Sequence, residues 1–516
     1  DSIILTFIDP YNEKSKNVVI YNLKNLYDTN LETTAKNYDL TYYSKLGVEY
    51  HIIDKTRYMT DLEYKKNVLL SNELDNKVLL DISKNMLENF KAISGHYPKS
   101  IFTNGSLARS YLLASRSKYS CNVLQFKSFF NKHKYFDELL DYSMKSYHGG
   151  KIESYVLGYV DKAKIIDITS AYPYAMSLLP SLTRSVYKGI GDEYLENFFY
   201  AFIKCEIEIT DRELIHPVIV ENPINKSNIS PYGYMECVIT KIEYDYLISK
   251  GVKINVIDYI GIEHIDIYPY KEIVDELFNN RLETRKTNPS LSQMYKIILN
   301  SLYGITYELT DIYKLTNDEN IEWLGYRAGD FFNPIIASYI TAITRTKLSE
   351  VSHDIILNGG KVYLNMTDSI IYEGNVDLKY CSEKKILGTF EMPTDIENCM
   401  ILGAGRYEYM DSFSKKYTIK SRGFSVSVKD KAFYSNLKLN EEIKIEHKTF
   451  VSGFKATTKK FEYQQMGYLI DDTYKINPFN LGGKRVIENT NVNLNKTYTR
   501  TYPVYLEKDI IKKAFK

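Results

Sequence analysis

Two apolar runs in this 516-residue sequence each end at an aspartate, and a helix carrying a lysine lies between them in the chain. The first run closes at Asp167, in Asp167-Ile168-Thr169-Ser170-Ala171-Tyr172-Pro173. The second turns at Met366-Thr367-Asp368-Ser369. Between them stands Lys296-Ile297-Ile298-Leu299-Asn300-Ser301-Leu302-Tyr303-Gly304, whose spacing puts Lys296, Asn300 and Tyr303 on one helix face. Taken singly, each residue has an ordinary reading. Asp167 would serve as the N-cap of the helix after it, Asp368 as an Asx-turn residue, and Lys296 as a solvated helix lysine. Taken together they are the groups that two-metal phosphoryl transfer uses: carboxylates converging on ions about 3.5–4 Å apart, and a cation for a polyphosphate. Hard, octahedral Mg²⁺ takes few carboxylates and completes its shell with substrate phosphates, so two aspartates suffice.

The length implies roughly three or four domains. The net charge of +1 does not advertise a polyanion partner for the whole chain. From Phe454 to Lys516, however, 12 Lys/Arg face 6 Asp/Glu, a local excess that neutralises phosphates or simply solvates a surface. The 48 tyrosines against one tryptophan fit an AT-rich coding sequence, and some of these rings are candidates for stacking on bases. Cys121, Cys205, Cys237, Cys381 and Cys399 stand far apart without a C-x-x-C, which argues against a zinc knuckle or a disulfide framework. A reducing compartment, the cytoplasm of a host, is the expectation. No apolar run reaches membrane-spanning length and no signal peptide precedes the first strand, so neither membrane association nor secretion is expected. The chain starts at Asp1, and we expect a processed or truncated product.

Alternation predicts strands at Ile3–Ile8 and Asn17–Tyr21, and helical periodicity runs from about Asp75 to Ser94. Val156–Asp167 reads as a buried strand pair and Ser170–Leu179 as a helix. Phe202–Ile209 is a strand, and residues 210–270 mix short strands with turns. Tyr270–Arg285 and Ser292–Leu302 read as a helical hairpin bearing Arg281, Arg285, Lys286 and Lys296. Ile335–Val351 is a helix, Lys361–Leu364 and Ser369–Tyr372 are strands around a tight turn, and Thr418–Val428 is a further strand.

The three segments, as Asp-x-x-Ser-x-Tyr-Pro, Lys-x-x-x-Asn-Ser-x-Tyr-Gly and Thr-Asp-Ser, resemble motifs A, B and C of family B DNA polymerases. Tyr147-x-Gly149-Gly150 resembles the linker motif between proofreading and polymerising domains. Ile340-Thr341-Ala342-x-x-Arg345 resembles the palm helix of the protein-primed branch found in small phages and linear plasmids. Arg406-Tyr407, with Ile419-Lys420-x-x-Gly423, resembles the primer-end motif and the strand after it. These likenesses span about residues 145 to 430.

The resemblance implies an α+β right-hand fold of palm, fingers and thumb, with a partial ribonuclease-H-like exonuclease domain at the N-terminus. Residues 1–145 would form that domain, 146–178 the linker and first palm segment, 179–270 a first insertion of the protein-primed branch, and 271–306 the fingers. A second insertion would occupy 307–333, the rest of the palm 334–453 and the thumb 454–516. Asp167 and Asp368 would be the catalytic, metal-binding carboxylates, for two Mg²⁺ ions with Mn²⁺ as the other ion to test. Tyr172, Lys296, Asn300 and Tyr303 would bind the incoming deoxynucleoside triphosphate, Tyr172 excluding a ribose 2′-OH. Tyr147, Gly149, Gly150, Gly304, Arg406, Tyr407 and Lys420 would contact the DNA template and primer, and a priming protein would be a further partner.

The sequence departs from the family pattern at three places. Met366 stands where motif C has a first aspartate, and Gly405 where the primer-end motif has a lysine. In the N-terminal region only Asp81 can be matched to an exonuclease carboxylate. No proofreading is expected from such a set. The leading expectation is a template-directed DNA polymerase, and the alternative is a non-catalytic, polymerase-derived protein that binds DNA or a priming protein.

Overall fold

The polar stretch Asp161-Lys162-Ala163-Lys164 does not break the apolar run around it. Val156–Asp167 is one strand of 12 residues rather than a strand pair. Its polar centre is held by an antiparallel neighbour, with Glu397 opposite Lys162 and Ile396 opposite Ala163. The computed structural model describes residues 2–8, 15–21, 31–38, 40, 55–101, 103–115, 126–315, 321–424, 426, 431–439, 443–452 and 467–508. Cys121 and the later part of the expected strand 418–428 lie outside these.

In chain order, β1 (Ser2–Ile8) and β2 (Ser15–Tyr21) form an antiparallel hairpin. The helix α1 (Leu62–Ser94) starts 13 residues before the expected point, because Asp61 caps it by accepting from the Tyr64 N–H and Gly95 closes it in the left-handed conformation. Asp81 therefore lies in the middle of a long helix. The short β3 (Ile152–Ser154) precedes β4 (Val156–Asp167), which leads into α2 (Ala171–Ser177).

The region 179–270 is more regular than its turn signals imply. It holds β5 (Ser181–Ile190), β6 (Tyr200–Ile209), β7 (Tyr232–Thr240), α3 (Lys241–Ser249) and the 13-residue β8 (Lys253–Ile265). Then α4 (Lys271–Thr287) and α5 (Pro289–Ser301) make the expected helical hairpin. Its corner is Asn288, whose side chain accepts from the Leu291 N–H while Pro289 takes the first helical position. A two-stranded hairpin, β9 (Leu309–Leu315) with β10 (Ile321–Ala328), precedes α6 (Pro334–Leu357). After it come β11 (Lys361–Met366), β12 (Ser369–Glu373), β13 (Thr394–Ile401), β14 (Arg406–Asp411) and β15 (Tyr417–Ser421). The chain ends in a hairpin of β16 (Ile443–Ser452) and β17 (Gly467–Ile476), then β18 (Arg485–Ile487), β19 (Tyr498–Pro503) and β20 (Tyr505–Leu506).

Two sheets organise the molecule. The larger runs β15-β14-β13-β4-β12-β11-β3. The C-terminal half of β4 pairs with β12, and its N-terminal end pairs with β19, Tyr498 lying opposite Gly158. Gly158 sits at φ +113°, and a Cβ there would lie 2.3 Å from the Thr497 carbonyl, so only glycine admits this crossing. The second sheet runs β20-β7-β6-β8-β5. Residues 467–506 thus contribute strands to both sheets as well as the second strand of the hairpin with β16. The first half of helix α6, apolar nearly all round, is buried on every side, while its second half exposes Glu350 and Leu357. Its N-terminal half packs with α1, α4 and α5 (Met86, Leu277, Ile298 and Ile340 share one core), and its C-terminal half packs under β4 and β12 (Ile166, Ile370, Val351).

Candidate active site

The two aspartates meet because their strands pair. Asp167 is the last residue of β4 and lies in register with Ser369, the first of β12. Asp368 therefore stands one residue from Asp167's partner. The Ile168 N–H donates to the Asp368 carbonyl at 2.8 Å, closing the strand end. The turn that carries Asp368 is tighter than an ordinary hairpin turn. The Asp368 N–H donates to the Met366 carbonyl at 2.6 Å, only two residues back, around Thr367 at φ 57°. That is a γ-turn of the positive-φ kind, rare and strained for a β-branched residue, at a cost of roughly 1–3 kcal/mol. A hydrogen bond from the Thr367 N–H to the Lys151 carbonyl at 2.7 Å holds it in place. Ser170, beside Asp167, is also left-handed, at φ 54°. Asp167 does not fill its ordinary role, since the N-cap of α2 is Ser170.

A cleft of about 430 Å³ opens over these carboxylates, lined on one side by Asp167, Asp368 and Tyr172 and on the other by Lys296 and Asn300. The structure thus gathers five of the expected site residues. Arg281 and Arg285 of α4, with Lys385, add positive charge to the lining. The basic residues of the helical hairpin were legible in the sequence, but which of them point at the carboxylates depends on how the hairpin packs. Lys385 and Glu391, an ion pair at 2.8 Å, come from a loop after β12 that no local signal marks.

Asp167 and Asp368 oppose each other's ionisation. Burial within the cleft, then the Asp368 and Glu391 charges, push the Asp167 carboxyl up to about 7. Burial raises Asp368 too, and Lys420 pulls both back toward the charged form. Asp167 is nevertheless open to solvent along one side, so screening softens the repulsion. Two oxygen-donor groups that resist joint ionisation are a fitting seat for a hard divalent cation, which reverses that penalty. Among the described residues no three His, Cys, Asp or Glu side chains form a ready cage, so a cation here relies on two carboxylates plus substrate or water oxygens.

Tyr172 is held from behind. Its ring stacks on Tyr303 with centroids 4.4 Å apart, and the Tyr303 hydroxyl shares a 2.8 Å hydrogen bond with Tyr147. Tyr303 falls two residues past the end of α5 and backs the cleft through Tyr172. Gly150 is wedged between Tyr172 and the strained turn; a Cβ there would lie 2.7 Å from the Tyr172 hydroxyl and 2.8 Å from Thr367 Cγ2. The segment 148–150 is fixed by Arg345 of α6, which donates to the carbonyls of His148 (2.7 Å), Gly149 (3.0 Å) and Pro217 (3.0 Å) and to Glu243 Oε1 (2.6 Å). The Arg345–Glu243 pair is wholly buried. Sequence reasoning placed Arg345 in a motif but not in this supporting role.

Three expected residues stand elsewhere. Gly304 is exposed, with open space where a Cβ would be. Arg406 lines a separate basic cleft with Arg422 and Lys484 rather than the carboxylate cleft. Tyr407 is buried opposite Lys420 across β14 and β15. Gly405 has φ +79°, which a lysine would adopt only with strain, so glycine here follows from the tight turn between β13 and β14. Met366 is half-buried, packed against a core that includes Tyr363, Ile371 and Tyr407.

Residues 113–307 match the family model described as DNA polymerase type B, organellar and viral. A DNA polymerase of Acidianus bottle-shaped virus (isolate Italy/Pozzuoli) is 27% identical over 296 residues, covering 54% of this chain and 40% of that protein. A probable DNA polymerase of Podospora anserina is 24% identical over 433 residues, 67% of this chain and 34% of that protein. The chain thus spans well under half the length of these curated relatives. The structure of Phi29 DNA polymerase complexed with primer-template DNA superposes with a TM-score of 0.68 at 16% identity, over 92% of this chain and 83% of that one. The ternary complex of the same polymerase, with incoming nucleotide, gives 0.67. At this identity the likeness speaks for fold: the chain has the α+β right-hand architecture. The resemblance to family B DNA polymerases read from the motifs is borne out by the family model and the viral relative. Among the described residues no helix is long and apolar enough to cross a membrane.

Proposed function

We propose that this chain, with its family B likeness and right-hand fold, is a template-directed DNA polymerase that transfers deoxynucleotides from triphosphates to a primer end. The observation that carries the proposal is the convergence of Asp167 and Asp368 at the β4–β12 pairing, beneath a helical hairpin that turns Arg281, Arg285 and Lys296 toward them. The expected substrates are primer-template DNA and deoxynucleoside triphosphates, and a priming protein is the expected further partner.

In this reading Asp167 and Asp368 would hold two Mg²⁺ ions, which when bound would supply Lewis-acid activation and charge neutralisation. Lys296 binds the triphosphate as a point charge, joined by Arg281 and Arg285. Tyr172, propped by Tyr303 and Gly150, presents its ring to the sugar. Asn300 and Tyr303 border the nascent pair, Gly304 leaves room for template, and Tyr147, Gly149, Arg406 and Lys420 steady the DNA, with the buried Tyr407 supporting the strands that carry Arg406 and Lys420. The domain limits expected from the sequence, 1–145 as an exonuclease-like part included, belong to the same proposal.

The test is primer extension with Mg²⁺ and with Mn²⁺. Asp167→Ala and Asp368→Ala should each abolish extension and leave DNA binding nearly intact, since phosphate contacts to basic side chains dominate affinity. Extension that survives both single changes would sink the assignment.

A further inference from the structure

A second cavity, about 240 Å³, lies where β3 and β4, the loop around Arg212–His216 and the strand β19 meet. It shares no lining residue with the carboxylate cleft. Its lining is cationic: Lys151, Arg212, Lys361, Arg485 and Arg500 against Glu153 and Glu213. Both acids are already engaged. Glu153 is paired with Arg485 at 2.5 Å and Glu213 with Arg500 at 2.6 Å.

The floor is unusual. Lys151 is only 2% exposed, yet its amine meets two neutral acceptors, the His216 carbonyl at 2.7 Å and Ser230 Oγ at 3.2 Å. An ammonium has three protons to donate. Among the described residues no carboxylate pairs with it, and burial draws its pKa down to about 8. The Glu153 charge favours the ammonium without bonding to it, but that carboxylate is committed to Arg485, and a buried cation with no directly bonded counter-charge is costly. Beside it, His216 is 3% exposed, and its Nε2 lies 2.8 Å from the Pro231 carbonyl. A carbonyl only accepts, so Nε2 carries the proton and Nδ1 presents a lone pair. That Nδ1 has no hydrogen-bond partner among the described residues. Burial and the Lys151 charge keep this ring neutral.

Lys151 and His216 both line the cavity, so its wall holds an ammonium donor and a neutral imidazole acceptor beneath a rim of guanidinium groups. A water meets both groups but brings no charge; a small anion that still owns an acidic O–H meets both and supplies the missing negative charge. We infer that this cavity binds a protonated oxyanion of the phosphate class, as free phosphate or a small phosphomonoester, its anionic oxygens on Lys151 and the rim arginines and its O–H on His216 Nδ1. The inference is independent of the proposed polymerase activity.

Binding of inorganic phosphate to the full chain, by calorimetry at constant ionic strength in chloride, tests it, with sulfate as the anion of like shape and no proton to give. Phosphate should bind saturably and at least about tenfold more tightly than sulfate, because sulfate leaves Nδ1 unmet. Lys151→Met should abolish binding, Arg500→Gln at the rim should weaken it severalfold, and Lys296→Ala in the other cleft should leave it unchanged. If Lys151→Met does not fold, Arg500→Gln and the phosphate-to-sulfate ratio decide. Glycerol 3-phosphate as a second probe separates the sources: the tighter of the two names the form the cavity takes. Failure of both phosphate and glycerol 3-phosphate to bind, equal affinity for phosphate and sulfate, or binding lost with Lys296→Ala and kept in a folded Lys151→Met would each overturn the inference.

Discussion

Arg345→Met should be among the most damaging single substitutions in the molecule, although Arg345 touches neither aspartate. Its guanidinium makes four hydrogen bonds, to the carbonyls of His148, Gly149 and Pro217 and to Glu243. Methionine keeps much of the volume and removes all four. Glu243 is 2% exposed and keeps only Thr240, whose N–H and hydroxyl donate to its other oxygen. Stranding one partner of a buried pair costs about 3–5 kcal/mol. The three orphaned carbonyls add roughly 1 kcal/mol or more, and less than three separate losses because they share one side chain. A loss near 5 kcal/mol is comparable with the whole stability of an ordinary domain. It should be read as a fall in the denaturant midpoint at unchanged slope. Pairing Arg345→Met with Glu243→Met should recover much of that loss, since no charge is then left buried. A single-variant loss below about 1 kcal/mol, or a double variant that simply adds the two losses, would refute the idea that this pair is the tie between α6, α3 and the 148–150 segment.

Without divalent cation, the raised Asp167 makes the folded state bind a proton that the unfolded chain has already released between about pH 4 and pH 7. Stability should therefore fall as pH rises through that window. Solvent at the cleft keeps the slope below the full linkage value, Mg²⁺ should restore the loss at pH 7, and a flat melting profile in both Asp167 and its Asn variant would contradict this. Tyr172→Ala should lower discrimination against ribonucleotides by about tenfold or more in single-nucleotide incorporation; an unchanged ratio in an active variant would remove Tyr172 from that role. Met366→Asp separates two readings of motif C. If charge at this position tunes the site, Mg²⁺-dependent extension should rise. If Met366 only fills the core around Tyr363 and Tyr407, the melting temperature should drop by the equivalent of a few kcal/mol, and a stable variant without faster extension would leave the tuning idea without support.

The parts of the site readable from sequence were those governed by local chemistry. A run that ends at Asp167, a turn at Met366–Asp368 and an Asn-Pro corner between two helices each follow from neighbours a few residues away. The long strand β4 was misread because Gly158 and the polar centre Asp161–Lys164 look like a break. In the fold they are held by β13 on one side and by β19 on the other, both distant in sequence. Helix α3 was missed for a similar reason: its capping box at Thr240 and Glu243 is a local signal, but it stands among turn residues that outweighed it. Arg345 is legible as a member of a motif but its role is not, since what makes it matter is the company of His148, Pro217 and Glu243. Gly405, read as the loss of a lysine, is explained by a positive φ that a sequence pattern does not display.

The pairing of β19 with β4 has a consequence for how the molecule is made. Roughly 340 residues separate Gly158 from Tyr498, which lie opposite each other in that pairing. At a synthesis rate of about 5–20 residues per second, the strand that carries Asp167 waits roughly 20–70 seconds on the ribosome for its last neighbour. During that interval one flank of β4 exposes unpaired backbone groups, an invitation to wrong partners. Strand β20 follows at once and closes the edge of the other sheet at β7. Completion of both sheets thus waits until residues 498–506 have been made, and a nascent chain released before then would present its aspartates on an unfinished sheet.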